Sequence, residues 1–207
     1  YIPFFTYDSD SSTAYVAKRG TYYYTTHTKK VNGKTVTERR RHIRWKTVRG
    51  VYTEMFDDVL VNASKKVDGK LMERLGDFKL KGLKSFKKEY LSGFIAEKYS
   101  KSLKEGWDDA RKSIDSDIYH GIRRQVGGDE FRLVNRSTNY GDVKFKHILL
   151  PVWMSSYTFK DKIYNFIVNG QTGKVSGEYP KSPGKIAGVV IGIAVIIAII
   201  VLVLKKN

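Results

Sequence analysis

The chain has 207 residues, a formal net charge of +17 and no cysteine. The missing cysteines exclude a disulfide framework and a thiolate metal site within these residues, and the length allows one large domain or two small ones. Thirty-six of the 38 lysines and arginines precede residue 186, against all 21 acids, so residues 1–185 carry a formal charge of +15.

The first block, residues 1–67, is predicted to be rich in β-strands. Asn32-Gly33 stands between two runs rich in Thr and Tyr, a strong hairpin signal because both loop positions need a positive φ. A two-residue loop there places Val31 opposite Lys34. The same register pairs Tyr22 with Ile43, Tyr23 with His42 and Thr25 with Arg40.

Strand alternation divides this hairpin into two faces. Ile43 and Trp45 fall on one face, which we expect to belong to the core. The other face is a basic stripe, the candidate binding site of the chain, made of Tyr23, Arg40, His42, Arg44 and Lys46. Three interpretations of this stripe stay open: a solvated face, contact with anionic lipid headgroups or binding to nucleic acid.

The second block, residues 68–128, is predicted to be helical. Apolar residues recur at spacings of four or seven, which indicates one face of a long amphipathic helix. We expect Gly127-Gly128 to end this helix. The apolar positions are Tyr99, Leu103, Trp107, Ile114, Ile118, Ile122 and Val126.

The third block, residues 129–180, is predicted to return to strands. Residues 152–159 are expected to pair with 163–168 across a turn at 160–162, and a second hairpin follows around 169–173. A short linker, 181–185, comes next. Strands, then helices, then strands predict an α+β fold, with antiparallel β-hairpin blocks flanking a long amphipathic helix.

Residues 186–204 contain no charge and no side-chain hydrogen-bonding group. A helix of 19 residues spans roughly 28 Å, close to the hydrocarbon thickness of a bilayer. We therefore predict one C-terminal transmembrane helix. Gly188 and Gly192 form a small-xxx-small pair that predicts helix–helix contact and a homo-oligomer. The basic charge of residues 1–185 favours a domain that faces the cytoplasm.

Motifs for catalysis or metal binding are weak. Gly127-Gly128-Asp129-Glu130-Phe131 resembles the signature of diguanylate cyclases, but a helix precedes it where that family has a strand. The four histidines show no ligand spacing. Asp57-Asp58 and Asp108-Asp109 are acid pairs, and the second pair, on the predicted helix, is typical of a solvated face. The sequence predicts no catalytic residue, no cofactor and no metal site, and hence not an enzyme.

A family resemblance is carried by six segments: 1–8, 19–24, 56–61, 127–130, 145–153 and 166–173. Together they resemble a family of bacterial proteins with N-terminal zinc ribbons and a C-terminal membrane segment, often labelled zinc-ribbon or primosomal-protein-like. The family implies an adaptor in envelope-stress assemblies near band-domain (flotillin-like) scaffolds. Because the chain begins at Tyr1 without methionine, we expect the zinc ribbon upstream, and no metal ligand carries over. Residues 164–175 also resemble a PepSY-type module.

These observations predict a non-enzymatic, tail-anchored scaffold at the cytoplasmic membrane face. Its expected partners are the bilayer, anionic headgroups and the proteins of a membrane scaffold. The alternative is a membrane-tethered nucleic-acid-binding protein that uses the basic hairpin 29–49, which holds nine lysines and arginines and one acid, Glu38.

Overall fold

The computed structural model describes residues 1–31, 34–67, 69–76, 78–180 and 182–206. Two compact units are present: residues 1–67 with 79–150, and residues 68–78 with 151–207. In chain order the elements are β1 (Ile2–Val31), β2 (Lys34–Asn62), α1 (Gly69–Leu75), α2 (Leu103–Val126), β3 (Glu130–Leu150), β4 (Val152–Phe159), β5 (Lys162–Asn169), β6 (Val175–Gly177) and α3 (Pro183–Lys206). Short 3₁₀ turns occupy Leu80–Gly82 and Lys88–Leu91.

The first unit is built on an antiparallel sheet with the strand order β2-β1-β3. Strand β1 pairs with β2 from Phe4↔Asn62 to Val31↔Lys34. It pairs with β3 only from Ile2↔Leu150 to Gly20↔Glu130. The sheet is therefore three-stranded over the first two thirds of β1 and two-stranded beyond Gly20.

The register of the β1–β2 hairpin confirms the predicted pairing. Tyr22 lies opposite Ile43, Tyr23 opposite His42, and Val31 opposite Lys34. The predicted loop residues, Asn32 and Gly33, lie outside the described residues. The register of the hairpin is thus confirmed over the described residues of both strands.

The predicted fold class, α+β with hairpin blocks flanking a long amphipathic helix, is wrong. The chain is mainly β, and the two strand blocks of the first unit are not separate hairpins on either side of a helix. Strand β3 follows α2 in the chain but pairs with β1, so one sheet gathers strands from both sides of the helix. Sequence patterns could not reveal this because strand periodicity does not identify a distant partner.

Helix α2 covers one face of this sheet. Its buried side chains include Ile114, Ile118 and Ile122, which pack with Tyr15 and Phe56 of the sheet. Along β1, alternate residues from 9 to 17 are buried and the intervening ones are mostly exposed, as expected for a sheet covered on one face. A capping box between Ser102 and Glu105 starts the helix, and Gly127 ends it at a φ of 64°.

The expectation that Ile43 and Trp45 of the hairpin belong to the core is also wrong. Ile43 is 38% exposed, and Trp45 is half-buried. Both lie at or beyond the end of β3, where the sheet narrows to two strands. Alternation places these residues on one face, but no element of the described first unit buries that face as a core.

The second unit contains a sheet with the order β4-β5-β6. Strands β4 and β5 pair from Val152↔Asn169 to Phe159↔Lys162. Lys160 and Asp161 form their two-residue turn, and both have a positive φ, as a type I′ turn requires. Helix α1 packs on β5 and β6 and contributes the buried Leu71, Met72 and Leu75.

Helix α3 also belongs to this unit. Among the described residues, no helix combines the length and the apolar character that crossing a membrane requires. On this finding, the prediction of a single-pass, tail-anchored transmembrane helix over 186–204 is wrong, and so is the membrane localisation with a cytoplasmic domain. A long apolar run in a sequence does not by itself identify the environment of that run.

Candidate functional site

The candidate site is the part of the β1–β2 hairpin that extends past β3, residues 21–31 and 34–44, hereafter the ribbon. At about 3.3 Å per residue, its 11 residues in each strand give it a length of roughly 36 Å. Between residues 21 and 44 the sequence has seven lysines and arginines and one acid, Glu38. The ribbon is therefore a long, two-stranded and strongly basic arm of the first unit.

The base of the ribbon is held by the residues that end α2 and begin β3. Asp129 donates its backbone N–H to the Gly20 carbonyl at 2.9 Å, and its side chain accepts the Tyr22 N–H at 2.7 Å. The Tyr22 hydroxyl donates to Glu130. These acids continue the hydrogen bonding of β1 beyond Gly20, where β3 begins and its pairing with β1 stops. The Gly-Gly-Asp-Glu run thus ends the helix, as predicted, and its two acids also form hydrogen bonds with β1 at the base of the ribbon.

One face of the ribbon, the Tyr23 face, carries the basic stripe predicted from the sequence. The register places Tyr23 opposite His42, and the two rings stack with centroids 5.2 Å apart. The Arg44 guanidinium lies 5.3 Å from the Tyr23 centroid, and Thr25 Oγ1 is 2.8 Å from His42 Nε2. The remaining members, Arg40 and Lys46, lie opposite Thr25 and Arg19 on the same face.

Glu38 neutralises part of the Tyr23 face. It accepts two hydrogen bonds from Arg40, at 3.1 and 3.2 Å, and lies 3.6 Å from the Lys29 ammonium. The hydrogen bond and charge of Arg40, with the Lys29 charge, hold the pKa of Glu38 below its usual value. Glu38 therefore stays ionised at neutral pH and offsets one cation of this face.

The opposite face, the Tyr22 face, is equally basic and was missed as a binding surface. Arg39 lies 3.8 Å from the Tyr24 centroid and Arg41 lies 4.4 Å from the Tyr22 centroid. Both arginines are exposed, and neither forms an ion pair with another described residue. Three consecutive arginines, 39–41, must place cations on both faces of a strand, and that was the signal in the sequence.

The Tyr22 face continues onto the sheet at the base of the ribbon. Arg132 of β3, which pairs with Lys18, lies 4.5 Å from the Trp45 centroid. A Cβ atom on Gly20 would lie 2.9 Å from Ile43 and 3.1 Å from Trp45. The glycine therefore makes room for these two side chains, and cations extend from the ribbon past its base.

An acidic cluster lies at a bulge in the middle of the sheet. Ligand atoms of Asp8, Asp57 and Asp58 lie within 4.8 Å of one another, and the Lys146 ammonium is 2.8 Å from Asp58 and 3.3 Å from Asp8. Burial alone would raise the pKa of Asp8, but the Asp58 N–H and Lys146 outweigh it and lower that pKa. Lys146 thus offsets part of the negative charge of these three carboxylates.

The predicted helix–helix contact residues, Gly188 and Gly192, lie in α3. A Cβ atom added at either position meets no atom within 4 Å. Their role in self-association stays a prediction.

Comparisons with known proteins leave the function open. The chain is 38% identical over 128 residues to the uncharacterized protein YdjG of Bacillus subtilis (strain 168), a match that covers 61% of this chain and 38% of that protein. The chain thus spans well under half of the length of this relative. No family model matches the chain, and no solved structure matches it. The zinc-ribbon resemblance stays a prediction.

Proposed function

We propose that this chain binds nucleic acid through the ribbon. The observation that carries the proposal is the arm itself: seven lysines and arginines against one acid, on two strands that extend beyond the rest of their sheet. Phosphate contacts supply most of the affinity of non-specific nucleic-acid binding. A protruding basic ribbon offers such contacts without needing a pocket.

The arginines of the ribbon are arranged so that their N–H groups can donate hydrogen bonds to a bound ligand. Arg39, Arg41 and Arg44 each lie over a tyrosine ring, and a cation–π contact of this exposed kind contributes about 0.5–1 kcal/mol. Stacking on the ring restrains the guanidinium plane while its N–H groups remain available. A planar guanidinium can then form the bidentate hydrogen bonds that phosphate favours.

The scaffold function predicted from the sequence depended on a membrane anchor, and no described helix is long and apolar enough to provide one. The nucleic-acid alternative needs no anchor and depends only on the ribbon. Anionic lipid shares the same charge, and vesicles therefore belong in the test.

The test is a fluorescence anisotropy titration with labelled oligonucleotides at several salt concentrations. Replacing Arg39, Arg40, Arg41 and Arg44 with Gln should weaken binding at least tenfold and lower the slope of log K against log salt by up to about 4, roughly 1 per lost phosphate contact. Thermal unfolding should be nearly unchanged, since all four side chains are exposed.

The matched control removes the same number of charges elsewhere in the same unit. Lys81, Lys84, Lys87 and Lys88 are exposed, and replacing these four with Gln should leave most of the affinity and of the salt slope intact. Equal losses in both variants would show that net charge alone drives binding and would contradict the proposal. Binding to anionic vesicles without binding to any oligonucleotide would contradict it as well.

A further inference from the structure

We infer that the ribbon enters the major groove of double-stranded DNA, with its two faces directed at the two phosphate backbones. This inference rests on the proposed nucleic-acid binding and adds the class of nucleic acid and the mode of contact. Three properties of the ribbon support it: the cations that lie over its tyrosine rings, the presence of cations on both of its faces, and its dimensions.

The tyrosine rings argue against a single strand as the preferred ligand. Single-strand binding uses exposed aromatic faces on which bases stack. Here guanidinium groups lie over Tyr22, Tyr23 and Tyr24, and the imidazole of His42 stacks with Tyr23. A base that stacks on the cation-bearing side of a ring would have to displace these groups. The rings therefore support cations in the free protein instead of presenting free stacking platforms.

The cations lie on both faces of the ribbon. Arg39 and Arg41 belong to the Tyr22 face, whereas Arg40 and Arg44 belong to the Tyr23 face. A single backbone lying on one face would leave the opposite arginines without a phosphate partner. A groove of a duplex has a phosphate backbone on each side, so both faces can be neutralised together.

The dimensions fit the major groove of B-form DNA. That groove is about 12 Å wide and admits a two-stranded β-ribbon. The ribbon length of roughly 36 Å is close to one helical turn, about 34–36 Å. The major groove of A-form RNA is deep and narrow, and side chains do not read it. Duplex DNA is therefore expected to bind better than duplex RNA of the same sequence.

The first experiment compares the full chain on duplex DNA, single-stranded DNA and duplex RNA of equal length at one salt concentration. Groove entry predicts at least tenfold tighter binding to duplex DNA than to either of the others. Tighter binding to the single strand or to duplex RNA would overturn the inference and leave the proposed function standing. Failure of all three ligands to bind would remove the proposed function itself.

The second experiment separates the two faces. Arg39→Gln with Arg41→Gln should lower the salt slope for duplex DNA by about 2, and Arg40→Gln with Arg44→Gln should lower it by a similar amount. An effect confined to one pair would show that the duplex lies on one face and would overturn the inference. Thermal unfolding of each variant serves as the folding control.

Methylation interference then identifies the groove. Guanine N7 lies in the major groove and adenine N3 in the minor groove. Interference by N7 methylation would support the inference, whereas interference by N3 methylation alone would overturn it.

Discussion

At the residue scale, Glu38 limits the charge that the ribbon can present. It is the one acid between residues 21 and 44, and it pairs with Arg40 and Lys29. Replacing Glu38 with Gln should release both cations and remove a negative charge that repels phosphate. We expect tighter binding to duplex DNA, by about threefold to tenfold, and a steeper salt slope, by about 1. Anisotropy titration over a salt series measures both.

Asp117→Asn provides the matched control for Glu38→Gln, since it makes the same charge change on the exposed face of α2. Its effect on affinity should be much smaller. An affinity that falls when Glu38 is neutralised would mean that Glu38 orders the arginines for binding and does not compete with phosphate.

A second residue, Glu105, predicts a pH dependence of stability. The Lys65 ammonium and then the Ser102 N–H and hydroxyl lower the pKa of Glu105 from 4.5 to about 2. A pKa lowered by folding contributes stability that is fully present above the unfolded value and is lost as pH falls through the folded value. The contribution of Glu105 should thus be complete above about pH 5 and disappear between pH 4.5 and pH 2.

Thermal unfolding of Glu105→Gln across pH 2 to 7 tests this expectation. The variant should be less stable than the parent chain at pH 7, and the two should converge near pH 2. Asp117→Asn, on the same helix, controls for the loss of one negative charge. If the unfolding temperatures of the parent chain and of Glu105→Gln differ by the same amount at all pH values, the carboxylate charge of Glu105 does not contribute to stability.

At the element scale, the contact between α2 and the sheet depends on a small residue. A Cβ atom on Gly106 would lie 2.5 Å from the Tyr7 hydroxyl and 2.6 Å from Phe5 Cδ2, and both rings are almost fully buried. The Tyr7 hydroxyl also donates to the Leu103 carbonyl at 2.7 Å. The absence of a side chain at 106 therefore lets the first turns of α2 approach β1 closely.

Gly106→Ala should consequently destabilise the first unit. Overpacking costs about 1–3 kcal/mol, whereas the gain in helix propensity is only about 1 kcal/mol, so a net loss of up to about 2 kcal/mol is expected in denaturant unfolding. Ser113→Ala, on the exposed face of the same helix, should be neutral or slightly stabilising. A stabilised Gly106→Ala variant would show that Phe5 and Tyr7 yield to the added methyl group.

At the scale of the whole molecule, chain order and spatial neighbours differ. In the first unit, β1 is paired on both sides as far as Gly20 and on one side beyond it, and this difference separates a packed sheet from a projecting ribbon. In the second unit, β4 to β6 are consecutive strands joined by short turns. The extent of the ribbon therefore depends on β3. This strand begins 110 residues after Gly20 in the chain and pairs with β1 only as far as Gly20.

The sequence by itself determined the features that local chemistry controls. The Asn-Gly signal and strand alternation predicted the register that brings Tyr23 opposite His42, and helical spacing predicted the face that buries Ile114, Ile118 and Ile122. Glycine at 127 predicted the end of α2. Each depends on residues close together in the chain, for which periodicity and turn preferences are sufficient evidence.

Only the tertiary structure decided which of these faces is covered. Ile43 was expected in the core and is exposed because it lies on the face of the sheet opposite α2, which no described element of the first unit covers. Arg39 and Arg41 lie on this same uncovered face. The pairing of β3 with β1 also brings Lys146 beside Asp8. Alternation places a side chain on one face of a strand, whereas burial and pairing depend on segments far away in the chain, which no local pattern specifies.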